Sequence, residues 1–200
     1  MSSSEIQALE AKIFELTQEV NRLRIAHAGD PVANYEFATQ EGLTNLLALF
    51  GEHDKLLVIH NMGQGCRFCT LWADGFNGFL PHLESTMAVV LVSKDTPIVQ
   101  RRFANSRGWR FRLASHGGGD YIREQSVMQG QTNTPGAVVY SRDGDKIVRK
   151  NSTVFGPGDQ FCSAWHLLAM AGLAEPEWAP QFNYWQRPAQ LDDGGENLLD

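Results

Sequence analysis

Cysteine is scarce: the 200 residues hold three, Cys66, Cys69 and Cys162. So few, and an odd number, exclude the disulfide framework of a small secreted domain. In a reducing compartment such cysteines are buried, metal-binding or redox-active. Long apolar runs are missing as well. None approaches the ~20 residues that cross a bilayer, so no membrane partner is expected. The opening stretch, MSSSEIQALE, lacks a basic region followed by an apolar one, the mark of a secretory signal. The expected location is the cytoplasm. Positive charge has no surplus either: 17 Lys and Arg stand against 23 Asp and Glu, for a net charge of −6. Four of the acids (Asp192, Asp193, Glu196, Asp200) crowd the C-terminal end, leaving the body of the chain close to neutral. Without basic excess to neutralise phosphates, nucleic acid is not an expected partner. No phosphate-cradling glycine loop, Ser-His-Asp order or metalloprotease helix is found.

What is present begins with periodicity. Ile6, Leu9, Ile13, Leu16, Val20 and Leu23 recur at alternating spacings of three and four, with charged and amide residues between them. This predicts one helix over residues 4–26, either a dimerising coiled coil or an amphipathic helix packed on its own domain. Asp30-Pro31 ends the pattern. Residues 35–39 alternate like a strand, and Glu41-Gly42 turns the chain into an expected apolar helix at 43–50. The dense apolar run at 55–62 (KLLVIHNM) suits a strand buried on both faces. Gly63-Gln64-Gly65 leads into Cys66, and a helix is expected from there to Glu84, interrupted near Gly75, Gly78 and Pro81.

Residues 87–93 (MAVVLVS) read as a second buried strand. A helix follows from Thr96-Pro97 to a left-handed cap at Gly108, then a strand at 109–115. His116 to Asp120 is a loop, and 121–134 carry no clear pattern. Asp143-Gly144 joins two strands, 137–141 and 146–149, as a hairpin. The last helix is expected at 160–172, then an aromatic segment (Trp178, Phe182, Tyr184, Trp185) and an acidic tail expected to be disordered. Strands alternating with helices, plus a hairpin, predict one α/β domain with a central mixed sheet flanked by helices. The expected division is an N-terminal helix at 1–30, the domain at 31–186 and the tail at 187–200.

Cys66-Arg67-Phe68-Cys69 is the one dense chemical signal. Placed between a buried strand and a helix, a Cys-x-x-Cys pair has a physical use. Unpaired N–H groups and the helix dipole favour an anion at the helix start, Arg67 adds a positive charge, and Cys66 is thereby inclined toward thiolate. Cys69, three residues on, is close enough to close a small disulfide. Cys66 would attack a substrate disulfide and Cys69 would resolve the mixed disulfide. The plainer reading is two reduced cysteines packed as small hydrophobes.

These residues resemble the thioredoxin fold, in the strand entering Cys-x-x-Cys, the hairpin after Thr134-Pro135 and the final helix. More narrowly, the chain is similar to the bacterial family known as domain of unknown function 899, a thioredoxin-like group. The matching stretches are 35–37 (YEF), 57–62 (LVIHNM), 65–78 (GCRFCTLWADGFNG), 108–111 (GWRF) and 155–166 (FGPGDQFCSAWH). The resemblance implies dithiol chemistry without naming a substrate. It also implies a cis Pro135 lying against the cysteine pair, with the Thr134 backbone free to hold a substrate chain as an added strand. His60, six residues before Cys66, stands where thioredoxins carry a buried acid, and a histidine there would relay a proton near neutral pH; a plain core histidine is the alternative. The sequence departs from the thioredoxin pattern in its inner Arg67-Phe68, in Gly65 where a tryptophan is usual, and in Trp72, one turn after the second cysteine.

Other constellations compete. Cys162 and His166 share a helix face and, with Cys66 and Cys69, would make a Cys₃His zinc set, although Phe161, Trp165 and Leu168 mark that helix as core. Cys162 by default is a buried thiol. A peroxiredoxin-like hydroperoxide reductase would need a Pro-x-x-x-Thr/Ser-x-x-Cys frame. Counting back from Cys66 meets Ile59 and Gly63, and from Cys69 meets Met62 and Cys66, so neither fits. Asp74, Asn77, His82 and His116 are further candidates to line the site, with capping or surface roles as the alternative.

The reading is therefore an α/β, thioredoxin-like dithiol–disulfide oxidoreductase with an N-terminal helical extension, acting on a protein or small-molecule disulfide and needing no cofactor. Cys66 and Cys69 carry the chemistry, with Arg67, His60, Thr134, Pro135 and Trp72 in support. The competing classes are the peroxide reductase and a non-catalytic interaction protein that dimerises through residues 4–26.

Overall fold

The computed structural model describes residues 3–173, 178–182 and 184. The chain opens on α1 (Ser3–Ala26), the helix its periodicity requires. Its apolar stripe does not pack on the domain: Ile6, Leu9, Ile13, Leu16, Val20 and Leu23 are all exposed. The alternative of an amphipathic helix folded onto its own domain is therefore corrected.

Beyond α1 the elements are β1 (Asp30–Val32), β2 (Glu36–Thr39), β3 (Gly42–Asn45), α2 (Leu46–Leu49), β4 (Lys55–His60), α3 (Arg67–Glu84), β5 (Ala88–Ser93), α4 (Pro97–Arg107), β6 (Arg112–Ser115), α5 (Asp120–Gln125), β7 (Gly136–Asp143), β8 (Lys146–Val154) and α6 (Ser163–Met170). The strands form a single mixed sheet in the order β1-β8-β7-β4-β5-β6-β2-β3. β4, β5 and β6 run parallel. β7 lies antiparallel to β4, with β8 and β1 beyond it, and β2–β3 form an antiparallel hairpin at the other edge. This is the thioredoxin-like α/β architecture.

Side chains alternate across the central strands. Leu56 and Val58 face a layer with Phe37, Phe50, Tyr121 and Tyr140, under α2 and α5. Ile59, Val89 and Leu91 face the other layer, with Trp72, Phe76 and Leu80 of α3, Ala104 of α4 and Trp165 of α6. Burial of both faces is why β4 and β5 read as continuous apolar runs.

The helix ends follow local chemistry. Pro97 stands in the first turn of α4, and Gly108 closes it at φ 66°. Pro81 does not interrupt α3, which runs unbroken through Gly75 and Gly78. The missing N–H of Pro81 leaves the Asn77 carbonyl without its helical donor, and Arg110 Nη2 donates to that oxygen at 3.3 Å.

Several elements differ from expectation. Residues 43–50 are not one helix: Gly42, at φ 124°, closes the β2–β3 hairpin, and Asn45 caps a helix of one turn by accepting from the Ala48 N–H. Short apolar runs of this length fit either period. The third strand begins at Arg112, because Trp109 and Phe111 are buried outside the ladder. Residues 121–134 include α5, whose buried Tyr121, Ile122 and Gln125 mix polar with apolar. β8 continues to Val154 through a polar stretch paired with β7. α6 starts at Ser163 because the Asp159 carboxylate accepts N–H bonds from Gly156, Phe161 and Cys162, holding that segment as a loop. Trp178 packs edge-on against Trp165 and Phe182 against Phe103, so this part of the aromatic segment lies on its own domain. Trp185 and the tail at 187–200 lie outside the described residues. Among the described residues, no helix is long and apolar enough to cross a membrane.

Candidate active site

β4 ends at His60, the chain turns through residues 61–65, and α3 begins. Cys66 is the N-cap of α3 and Cys69 stands in its first turn; the two are disulfide-bonded, with Cα atoms 5.2 Å apart. The helix start works on the outer sulfur: the Cys69 N–H donates to Cys66 Sγ at 3.0 Å. The Thr70 N–H and hydroxyl both donate to the Cys66 carbonyl, at 3.1 and 2.9 Å, locking the cap in place. Burial separates the sulfurs. Cys66 is half-buried, whereas Cys69 is only 2% exposed and its Sγ accepts from the Met62 N–H at 3.4 Å.

The turn before Cys66 is strapped to β5's end by a residue the sequence reading passed over. Asp95 accepts from the Gln64 N–H at 2.7 Å, and its carboxylate lies where a Gly63 side chain would begin, 2.9 Å from an ideal Cβ. Gly63 is also at φ 111°, which favours glycine here, and a side chain would have to displace the Asp95 carboxylate. Asn61 accepts from the Gly63 N–H. The available signal was a polar residue just beyond a buried strand's C-terminal end, where loops of open α/β sheets build sites.

Register carries the second part of the site. Gly136 pairs with His60, which brings Thr134 and Pro135 to the sheet end from which the cysteine turn leaves. Both are half-buried, and the Pro135 carbonyl accepts from the Phe155 N–H at 2.9 Å. Gly136 admits no side chain: a Cβ there would meet the Thr153 carbonyl oxygen at 2.3 Å.

Arg67 is exposed beside the disulfide. Phe68 stacks on Trp165, with centroids 6.1 Å apart, so the inner dipeptide is one charged and one aromatic residue against an aromatic wall. Trp72 is buried; its indole N–H donates to Asp159 at 2.8 Å and its ring stacks on Phe155. It ties α3 to the loop before α6.

His60 points into the layer under α5. Its Nε2 bonds with the Tyr121 hydroxyl at 2.7 Å, and its buried Nδ1 has no hydrogen-bond partner. Burial pushes its pKa down to about 3, helped by the charges of His116 and Arg149. That is a neutral core histidine, which does not titrate near neutral pH. His116 is likewise held neutral, its pKa lowered to about 4 chiefly by burial.

The other candidates are dispersed. Asp74 pairs with Arg107 and accepts from the Trp109 indole N–H. Asn77 donates to the Gly108 carbonyl and accepts from the Arg110 N–H, and His82 is exposed in the last turn of α3. Cys162 caps α6, buried; burial raises its pKa, against the lowering from the Ala164 and Trp165 N–H groups. His166 Nε2 contacts the Asp159 carbonyl oxygen. Among the described residues, no three His, Cys, Asp or Glu side chains come together to hold a metal, so the Cys66, Cys69, Cys162 and His166 set is not assembled.

The family model described as "Bacterial protein of unknown function (DUF899)" matches residues 5–190. The chain belongs to this family. The fold is similar to solved peroxiredoxins. Peroxidoxin BcpB from Mycobacterium tuberculosis is 21% identical with a TM-score of 0.53, over 72% of this chain and 94% of that one. Peroxiredoxin Q from Xanthomonas campestris is 20% identical with a TM-score of 0.54, over 72% and 95%. A peroxiredoxin-like protein from Aquifex aeolicus is 18% identical with a TM-score of 0.51, over 63% and 74%. At these identities the likeness is one of fold. No curated protein matches the sequence.

Proposed function

We propose that this DUF899 protein is a cytoplasmic dithiol–disulfide oxidoreductase acting on protein or small-molecule disulfides. The supporting observation is the Cys66–Cys69 disulfide at the start of α3, with Cys66 half-buried and Cys69 fully buried. In the reduced protein the Cys66 thiolate, held by the helix-terminal N–H groups, attacks a substrate disulfide. An S–S bond forms between Cys66 and one substrate sulfur; the other leaves as a thiolate and takes a proton from water. Cys69, deprotonated, then attacks Cys66 Sγ and expels the second substrate thiolate. The substrate gains two electrons and two protons, and the Cys66–Cys69 disulfide returns. An external dithiol must reduce it for another turn. Thr134 and Pro135, at the same sheet end, offer backbone to an extended substrate chain.

Hydroperoxide reduction is the second reading, favoured by the peroxiredoxin folds among the similar structures. The Cys66 thiolate would be oxidised by the peroxide to a sulfenic acid, releasing water or alcohol, and Cys69 would condense with it to the disulfide, releasing water. The missing Pro-x-x-x-Thr/Ser-x-x-Cys frame weighs against it.

Trapping decides between them. With Cys69→Ser, the dithiol reading predicts stable mixed disulfides on Cys66 when a disulfide substrate such as oxidised glutathione is supplied, and Cys66→Ser forms none. Fast peroxide consumption by the wild type, with negligible reduction of disulfides, would overturn the first reading in favour of the second.

A further inference from the structure

We propose that α1 is a dimerisation helix whose partner is the same helix of a second copy, the two forming a parallel two-stranded coiled coil. Every residue from 4 to 26 is exposed in the single chain except Thr17 and Arg24, which are half-buried. Its C-terminal end is tethered to the domain. Asn151 donates to the Arg24 carbonyl at 3.3 Å, the Arg24 guanidinium lies over the Phe161 ring, and His27 and Lys150 bond just beyond. The whole helix is about 36 Å long, and the apolar stripe it carries from Ile6 to Leu23 stands exposed. An isolated helix of this kind is marginal in water, its stability normally coming from packing of an apolar face.

That face is exposed among the described residues and has a specific composition. One heptad position holds Ile6, Ile13 and Val20, the other Leu9, Leu16 and Leu23, with exposures between 42% and 65%. β-Branched residues at the first core position with leucine at the second favour two parallel strands. In that arrangement the heptad positions of Glu19 on one helix and Arg24 on the other flank the seam with opposite charge. A membrane surface suits the helix poorly. Its four glutamates outnumber its one lysine and two arginines, whereas surface-seeking helices carry a basic polar face. Strict alternation of three and four over three heptads matches a copy of itself. The cysteine site lies outside this seam, so the proposal stands apart from the redox reading.

Light scattering or sedimentation equilibrium on the full chain at micromolar concentration tests it. The wild type should have twice the chain mass. Leu16→Glu should have the mass of one chain and lose helical signal at 222 nm, because α1 unwinds without its partner, while disulfide exchange is unchanged. A monomeric wild type, or a dimeric Leu16→Glu, overturns the proposal. Ile6→Cys sets the direction: mild oxidation should link two chains through Cys at that position, with wild type as control. A dimer that fails to cross-link overturns the parallel arrangement.

Discussion

The backbone N–H of Cys69 points at the sulfur of Cys66, 3.0 Å away, so the amide of the buried cysteine supports the sulfur of the more exposed one. The same peptide geometry that makes Cys66 an N-cap makes it the place where negative charge is best tolerated. Cys69, one turn on, lies beneath it. This asymmetry orders the thiols by access. After reduction, brief alkylation of the native protein should modify Cys66 well before Cys69, with Cys162 protected until unfolding. Peptide mapping by mass spectrometry reads the order, and equal labelling of all three would contradict it.

Cys162 should be dispensable for the chemistry. Its thiol is buried at the start of α6, and among the described residues it belongs to no group of three metal-ligating side chains. Cys162→Ala is expected to cost about 1 kcal/mol of stability, as for removal of one small buried group, with disulfide exchange within twofold of wild type. Loss of exchange in this variant, or bound zinc in the wild type lost with it, would contradict the assignment.

The Gly63–Asp95 contact predicts non-additive stability effects. Gly63→Ala brings both a left-handed strain and a clash with the Asp95 carboxylate, and should cost roughly 2–3 kcal/mol. Asp95→Ala loses the bond from the Gln64 N–H and should cost about 1 kcal/mol at this half-buried position. In the double variant the clash is gone, so the total should fall below the sum of the singles. Denaturant midpoints at constant m-value provide the measurement; strict additivity would place the strap elsewhere.

Stability should fall with acid through two buried histidines. His60, at about 3 in the folded state, binds its proton far less readily than in the unfolded chain, where histidine titrates near 6.5. Between those values the unfolded state holds the extra proton, so stability is full above about pH 6.5 and declines as pH falls toward 3. At pH 5 the loss from His60 is roughly 2 kcal/mol relative to neutral pH. His116, lowered to about 4, acts in the same direction. His60→Phe should flatten the slope between pH 7 and 5; an unchanged slope would show that this histidine is not held neutral.

Much of this architecture was legible because burial writes a simple pattern. β4 and β5 are covered on both faces, and their uninterrupted apolar runs announce it. Pro97 and Gly108 bracket α4 by backbone rules that neighbours cannot change. Cys66 and Cys69 stood out through their position between strand and helix. Legibility failed where tertiary partners replace local signals. Arg110, 33 residues from Asn77, satisfies the carbonyl freed by Pro81, so α3 survives its proline. Asp159 spends its carboxylate on three loop N–H groups and delays α6. His60 could be read as a proton relay or as a core histidine, and what decides for the core reading, its bond with Tyr121, comes from a segment without periodicity. Asp95 is one acid among 23, and nothing local ties it to Gly63.

The most direct test is a redox titration of the purified full chain in graded thiol–disulfide buffers, with free thiols alkylated and counted by intact mass. The account predicts one reversible two-electron transition in which Cys66 and Cys69 gain or lose their thiols together, within about −270 to −120 mV, while Cys162 stays reduced throughout. A protein whose Cys66 and Cys69 show no reversible transition, or titrate independently, would contradict it.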